Sequence, residues 1–383
     1  MKYRKFGRLE WEVSALGFGA MRLPVIGGDK ARIDEPEAIR MIRYAIDHGV
    51  NYVDTAYYYH MGNSEKLVGK ALRDGYREKV KLATKLPARD VGTAEDFDRF
   101  LGEQLERLQT EKIDFYLLHG LYKESWRKIR DFDVLRWAEK QMARGLFDHL
   151  AFSFHDDYDV FQEIVDAYDN WVFSQVQYNY MDIEQQAGRR GVEYAAGKGL
   201  AVVVMEPLRG GKLSKEPPEA VKKLWEQAHR QLRPVEWALH WVWNQPEVTL
   251  ALSGMSSMEQ VRDNLAIADR SGVGTLSAGE LELIGKVREA YQSLTSIECT
   301  SCRYCQPCPQ GVEIPRIFQI YNDATIYDDV KTGRFMYGDG FFFKPEQRAD
   351  KCVECGECLT ACPQHLPIPD WLKKAHELLM PEG

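Results

Sequence analysis

Asn51-Tyr52-Val53-Asp54-Thr55-Ala56 opens as a short apolar run and stops on a carboxylate. The device recurs: Leu82-Ala83-Thr84-Lys85 stops on an ammonium and Tyr116-Leu117-Leu118-His119 on an imidazole. Runs of this kind fall at residues 15–19, 51–54, 81–85, 114–119, 150–153, 172–177, 200–205 and 248–253. They are nearly all apolar, as strands of a parallel sheet covered on both faces must be. Helical spacing fills the gaps, at residues 35–48, 94–108, 158–168, 187–197 and 257–269. Eight strand–helix units in about 270 residues predict an α/β chain of the (β/α)8, or TIM, barrel kind. An open doubly wound sheet would carry a glycine-rich fingerprint after its first strand, and Gly17-Phe18-Gly19 is too short for one. Upstream, residues 3–6 and 12–14 flank Gly7-Arg8 and predict a hairpin that closes the barrel bottom.

The chain has 383 residues, more than the roughly 250–300 that a single core serves. One large and one small domain are expected, over residues 1–275 and 276–383, with a helix at 280–291 beside the boundary. A formal net charge of −8 argues against a general binder of nucleic acid or anionic membrane. No stretch of about 20 apolar residues occurs, so no membrane-spanning helix is expected. The opening MKYRKFGRLEWEVSALGFG has no continuous apolar core and no small-residue cleavage site. It does not read as a signal peptide, and a cytoplasmic location is expected.

Residues 1–298 contain no cysteine and residues 299–362 contain all eight. Tight clustering suits metal ligation in a reducing compartment better than a scattered disulfide framework. The first run is Cys299-x2-Cys302-x2-Cys305-x2-Cys308-Pro309 and the second Cys352-x2-Cys355-x2-Cys358-x3-Cys362-Pro363. The second follows the bacterial ferredoxin spacing, and the first is one residue short before its last cysteine. In that spacing three close cysteines wrap one cluster and the fourth, before Pro, reaches the other. Cys299, Cys302, Cys305 and Cys362 are thus expected to hold one [4Fe-4S] cluster, and Cys352, Cys355, Cys358 and Cys308 a second. Cys308-Pro309-Gln310 through Ile314-Pro315 also echoes Cys362-Pro363-Gln364 through Ile368-Pro369, as an internal two-fold repeat would. Two structural zinc sites are the alternative, but those pair two CxxC knuckles across a long spacer. The expected small domain is therefore α-rich, ferredoxin-like and iron–sulfur-binding. Phe341-Phe342-Phe343, between the runs, is expected to cover its core.

Catalytic groups of a (β/α)8 barrel stand at the C-terminal ends of its strands. Asp54, Lys85 and His119 occupy three successive ends, with Tyr59 in the loop after the first. Singly, each has an ordinary structural explanation, as a cap, a wedge or a hydrogen-bonded spacer. Together, in the spacing DTAxxY followed by strand-end Lys and His, they make the first 270 or so residues resemble an aldo/keto reductase. With Met205-Glu206-Pro207-Leu208-Arg209-Gly210-Gly211 and the cysteine runs, the whole chain is similar to the branch of that family bearing a C-terminal ferredoxin-like extension. The resemblance implies a tetrad of Asp54, Tyr59, Lys85 and His119 acting on a small carbonyl or alcohol. A free Tyr has a pKa of about 10, and the Lys85 ammonium is expected to lower that of Tyr59. Asp54 would hold Lys85, and His119 would orient the carbonyl oxygen. Tyr59 would then be general acid in reduction and base in oxidation.

The resemblance also implies a nicotinamide site at further strand ends. Gly19, Ala20 and Met21 follow the first strand, Ser153 ends the fifth and Gln175 the sixth. Phe154 replaces the Asn that usually follows such a Ser. Met205, Pro207 and Leu208 follow the seventh strand, where an aromatic more often stacks on the ring, and Gly210 allows backbone approach to a pyrophosphate. Gly254, Ser256 and Ser257 open a helix whose free N–H groups suit a phosphate, with Gln260 and Asn264 on the adenosine side. Arg262 is a candidate for a 2′-phosphate, and NADP(H) and NAD(H) both remain open. The expected activity is an oxidoreductase with two clusters as relay, exchanging electrons with a partner such as a ferredoxin or flavoprotein. A cubane moves one electron and a hydride carries two, so two rivals stand. One is a cluster-fed reductase without nicotinamide, and the other a redox sensor that keeps the barrel without turnover.

Overall fold

The computed structural model describes residues 1–299, 303–338 and 343–380; Cys302, Phe341 and Phe342 lie outside them. The strands are β1 (Tyr3–Lys5), β2 (Glu12–Ser14), β3 (Leu16–Gly19), β4 (Tyr52–Asp54), β5 (Lys81–Leu86), β6 (Ile113–Leu121), β7 (Phe147–Phe154), β8 (Phe173–Gln177), β9 (Ala201–Met205) and β10 (Leu250–Gly254). From β3 to β10 each pairs with the next in chain order, and β10 returns to β3 to close the barrel. Closure is parallel, with Ala251 opposite Leu16 and Gly254 opposite Gly19. This is the expected fold. Gly17 lies where the strands crowd: a Cβ there would come within 2.8 Å of Leu252 and 3.1 Å of Tyr52.

The hairpin forms, with Tyr3 opposite Ser14 and Lys5 opposite Glu12. It carries Phe6 against Phe115, Trp11 and Phe173, at centroid distances of 5.1, 5.2 and 5.4 Å. Tyr52 and Phe173 begin their strands, so this aromatic layer seals the N-terminal end. The C-terminal end is left for polar groups.

The helices are α1 (Glu35–Asp47), α2 (Ser64–Ala71), α3 (Glu95–Leu108), α4 (Lys123–Asp131), α5 (Val134–Ala143), α6 (Tyr158–Asp166), α7 (Gly188–Gly197), α8 (Glu219–Trp225), α9 (Pro234–Asn244), α10 (Met258–Ala268), α11 (Ala278–Ser293), α12 (Ile314–Ile326), α13 (Val330–Gly338), α14 (Glu357–Ala361) and α15 (Ile368–Leu379). In α1 the Asp34 carboxylate accepts from the Glu37 N–H at 3.3 Å, and Pro36 sits in the first turn. The stripe Ala38, Met41, Ile42, Ala45 faces the sheet, the spacing of one buried helical face. Among the described residues no helix is long and apolar enough to cross a membrane.

The chain divides into two compact units: Met1–Ser214 with Leu232–Leu281, and Lys215–Gln231 with Glu282–Gly383. The expected cut lay after residue 275; by compactness, Lys215–Gln231, between β9 and α9, groups with the C-terminal unit. There Lys215 Nζ meets Asp329 Oδ2 at 3.2 Å, and α8 buries Val221 and Trp225.

The C-terminal unit is built around α12, α13 and α15, whose core includes Ile317, Phe318, Tyr337, Phe343 and Leu372. Phe343 is thus core, as expected of the aromatic run. Its two halves repeat. Pro lies in the first turn of both α12 and α15. Gly311 and His365, equivalent by sequence, share left-handed φ values of 75° and 51°. Their N–H groups donate to Cys308 and Cys362 carbonyls at 2.8 and 3.1 Å. Earlier in each half, Gln306 N–H donates to Arg303 O at 2.9 Å and Leu359 N–H to Gly356 O at 3.0 Å. The halves part at the spacing difference, where the second forms α14 and the first passes a cis Gln306–Pro307 peptide.

Candidate active site and metal centres

Four groups converge at the C-terminal end of the barrel. Asp54 ends β4, Lys85 lies one residue from the end of β5, and His119 lies two from the end of β6. Tyr59 opens the turn Tyr59–Gly62 after β4. Lys85 Nζ donates to Asp54 Oδ1 at 2.5 Å and to Thr55 O at 2.7 Å. The same nitrogen stands 5.0 Å from the Tyr59 ring centre. The His119 ring lies edge-on to Tyr59, with centroids 5.9 Å apart and planes at 81°.

Lys85 and Asp54 expose 1% and 2% of their surface, so their charges are held by each other rather than by water. Burial alone would drive the Lys85 pKa down, but Asp54 and Tyr59 outweigh it and raise it. Replacing Lys85 with Met is expected to cost about 3–5 kcal/mol of stability, because it strands the Asp54 carboxylate out of water. A Lys85→Met, Asp54→Leu double variant should recover most of that loss. Chemical denaturation of the three proteins checks it, and an equally unstable double variant would contradict it.

The expected lowering of the Tyr59 pKa is not what the geometry yields. Burial raises it, Lys85 pulls it back and Asp54 pushes it up again, for a net rise. The ammonium acts as foreseen, but desolvation of the phenolate is the larger effect. His119 is driven well below the ordinary histidine value by burial first, then by Lys85, His155 and Arg89. It is therefore neutral near pH 7. Its Nδ1 is buried and has no partner among the described residues.

The sixth strand end holds a second orphan. Gln175 is 2% exposed, its Nε2 approaches Asp54 Oδ2 at 3.5 Å, and its Oε1 has no partner among the described residues. Beside it, Ser153 Oγ accepts from the Gly120 N–H at 2.7 Å. An unpaired amide oxygen next to a hydroxyl fits a carboxamide such as that of nicotinamide. Phe154 packs on Phe161 of α6 at 5.1 Å, so this position is spent on the helix layer.

At the other strand ends, Ala20 N–H donates to Asp54 O at 2.8 Å, and Met21 is 46% exposed. Met205 is followed by Glu206 at φ 56°, Pro207, Leu208 and then Gly210 and Gly211 at φ 69° and 93°. Ser257 caps α10 by accepting from the Gln260 N–H at 3.3 Å. The Gln260 amide oxygen turns back to the Ser256 N–H at 2.8 Å, and Asn264 Nδ2 donates to Ser253 Oγ at 3.0 Å. Arg262 lies over the Tyr44 ring at 5.6 Å.

Two residues that the sequence reading assigned no role stand across this groove. The stem of Arg22 lies over Gly254, where a Cβ would meet it at 3.1 Å. Its guanidinium lies over Gly210, where a Cβ would meet Nη2 at 3.2 Å, and it reaches Glu206 Oε1 at 3.6 Å. No sequence signal links Arg22 to Glu206, because they meet only when the barrel closes.

In the C-terminal unit no disulfide joins the described cysteines. A cavity of about 100 Å³ is lined by Cys305, Cys308, Cys352, Cys355 and Cys358. A smaller one of about 20 Å³ is lined by Cys299, Cys305 and Cys362. Burial pushes the Cys358 thiol pKa up, and Cys352, Cys355 and Cys308 add to it. Cys302 lies outside the described residues. Among those described, no three His, Cys, Asp or Glu side chains converge on the position of one ion. Thiols ringing a cavity suit a multi-iron cluster better than a tetrahedral zinc, whose four sulfurs each lie about 2.3 Å from one centre.

Known proteins resemble the chain in both parts. A sequence profile described as the aldo/keto reductase family matches residues 15–273, and one described as a 4Fe-4S dicluster domain matches residues 298–366. L-galactose dehydrogenase of Arabidopsis thaliana is 26% identical over 78% of this chain and 94% of its own length. The uncharacterized oxidoreductase YrpG of Bacillus subtilis (strain 168) is 28% identical over 71% of this chain and 92% of its own. Among solved structures, the holo form of aldo-keto reductase AKR11C1 from Bacillus halodurans superposes with a TM-score of 0.63 at 28% identity, covering 75% of this chain and 96% of its own. An aldo-keto reductase from Klebsiella pneumoniae in complex with NADPH superposes at 0.59 with 26% identity, covering 75% and 95%.

Proposed function

The chain belongs to the aldo/keto reductase family and carries a 4Fe-4S dicluster domain, and we propose that it reduces a small carbonyl, or oxidises the matching alcohol, with Tyr59 as proton donor or acceptor. The observation that carries this reading is the buried Lys85–Asp54 pair set 5.0 Å from the Tyr59 ring, with His119 Nδ1 unpaired beside it. A bound nicotinamide supplies hydride. Each remaining part falls to side chains of this chain. The Tyr59 hydroxyl delivers a proton to the oxygen that becomes alkoxide, and its raised pKa keeps that proton in place near pH 7. Neutral His119 has one N–H to offer the carbonyl oxygen, which sets its angle. Gln175 and Ser153 would hold the carboxamide, and Arg22, whose side chain packs over Gly210 and Gly254, would meet the phosphates.

The two cysteine sets would each hold a [4Fe-4S] cluster, which supplies one-electron exchange with a protein carrier. Anaerobic titration with NADPH and NADH, followed by nicotinamide absorbance and EPR, tests both halves. Binding with carbonyl-dependent oxidation of the nicotinamide is expected. A protein that binds neither nucleotide would leave the cluster-fed reading in its place.

The Arg22–Glu206 pair gives a sharper test of the groove. Half-exposed pairs of this kind hold by about 0.2–1 kcal/mol, so Arg22 can exchange Glu206 for a pyrophosphate at small cost. Glu206→Gln removes both the competitor and a like charge, and should tighten dinucleotide binding about 2–5-fold. Arg22→Ala should weaken it. Calorimetry on both variants checks the opposite signs.

A further inference from the structure

We propose that His60 is a positioning residue: it pins the loop after β3 to the segment that carries Tyr59, and so sets how tightly the barrel mouth holds a nicotinamide dinucleotide. The proposal rests on the nicotinamide reading above. His60 is 8% exposed and follows Tyr59 directly. Both of its ring nitrogens are engaged, and both reach the same loop. Nε2 accepts from the Leu23 N–H at 3.1 Å, and Nδ1 meets Lys30 O at 2.9 Å. Only the neutral ring with its proton on Nδ1 satisfies both contacts at once.

The loop in question is bonded internally. Ile26 N–H donates to Arg32 O at 2.8 Å and Asp34 N–H to Pro24 O at 2.9 Å, and Val25 bridges Ile33. Its ends are tied to the same segment by Ser64 Oγ to Ala20 O at 2.9 Å and Asn63 Nδ2 to Ala31 O at 3.0 Å. His60 holds the middle, next to Met21 and Arg22, the residues that border the cofactor groove. His60 and Met61 take left-handed φ values of 52° and 55°, a conformation that side chains avoid unless local bonds hold it. Here they include the two on the imidazole and the Asn63 N–H to His60 O at 3.1 Å.

The arrangement makes the pin sensitive to acid. A proton on Nε2 would set an N–H against the Leu23 N–H. Burial lowers the His60 pKa and is the largest effect; backbone hydrogen bonds to Lys30 and Met21 oppose that shift, and the Lys30 ammonium, the charged group facing the ring, reinforces it. A histidine lowered in the folded state adds stability above its unfolded pKa of about 6.5 that is lost as pH falls through the folded value.

Two variants separate the contacts. His60→Gln can place an amide oxygen where Nε2 accepts, and does not titrate. His60→Asn can donate to Lys30 but leaves the Leu23 N–H buried without an acceptor. The measurements are amide exchange at Leu23 and NADPH affinity, each between about pH 7.5 and 5. In the unaltered protein the protection of the Leu23 amide, its exchange corrected for the intrinsic pH dependence, should fall toward acid together with the affinity. His60→Gln should keep neutral-pH affinity within about 3-fold and flatten both trends. His60→Asn should expose Leu23 at every pH and weaken NADPH binding about 10-fold. A Leu23 amide indifferent to His60→Asn, or a pH trend unchanged in His60→Gln, overturns the proposal. Should His60→Asn fail to fold, the His60→Gln comparison decides. If the unaltered protein binds no dinucleotide, the nicotinamide reading fails, while Leu23 exchange still judges the pin.

Discussion

A Tyr59→Phe protein is expected to reduce carbonyl substrates about 10²–10⁴-fold more slowly in kcat while binding nicotinamide as before. The phenol is the one group that can hand a proton to the nascent alkoxide on this reading. Lys85 is held by Asp54 and Thr55, and neutral His119 is a poor acid. The ring itself is kept, so packing against His119 survives. The pH dependence follows from the direction of the Tyr59 shift. With its pKa raised, the proton is in place through neutral pH, so reduction should stay level until pH rises toward the folded value. Oxidation needs the phenolate and should climb with pH over the same range. Both slopes should vanish in Tyr59→Phe. Full turnover by that variant in stopped-flow assays would remove Tyr59 from the mechanism.

The second large effect concerns cluster ligation. Cys308 lines the cavity of Cys352, Cys355 and Cys358, while Cys362 lines that of Cys299 and Cys305. Each run would thus lend its last cysteine to the other cluster. Ser replacements make this countable. Cys308→Ser with Cys352→Ser should damage one site twice and leave about half of the iron. Cys362→Ser with Cys352→Ser should damage both sites and leave almost none. Unexchanged ligation predicts the reverse. Iron analysis of anaerobically purified protein decides between them. Because each cluster would tie both halves together, the second double variant should also unfold at much lower denaturant.

Much of this was legible along the chain. Every barrel strand falls within a few residues of its expected place, because an apolar run of strand length is a local signal. Strand-end Asp54, Lys85 and His119 were legible for the same reason, since the end of such a run is the mouth of the barrel. What was not legible depended on surroundings. The Lys85 charge beside Tyr59 was foreseen, but not that burial would outweigh it. Phe154 occupied a position where a polar residue was expected, and its ring turned out to serve α6. The packing of Lys215–Gln231 with the C-terminal unit had no local mark, because its partners lie more than a hundred residues downstream.

The order of residues thus determined the barrel, the polar side chains at its strand ends, and the two cysteine runs with their repeat. Periodicity and spacing are properties of neighbours in the chain. Tertiary structure alone decided the protonation of Tyr59, the pairing of Arg22 with Glu206, the hold of His60 on Leu23, and which cavity Cys308 and Cys362 each serve. Those are set by desolvation and by contacts between distant segments, which exist only once the chain has closed on itself.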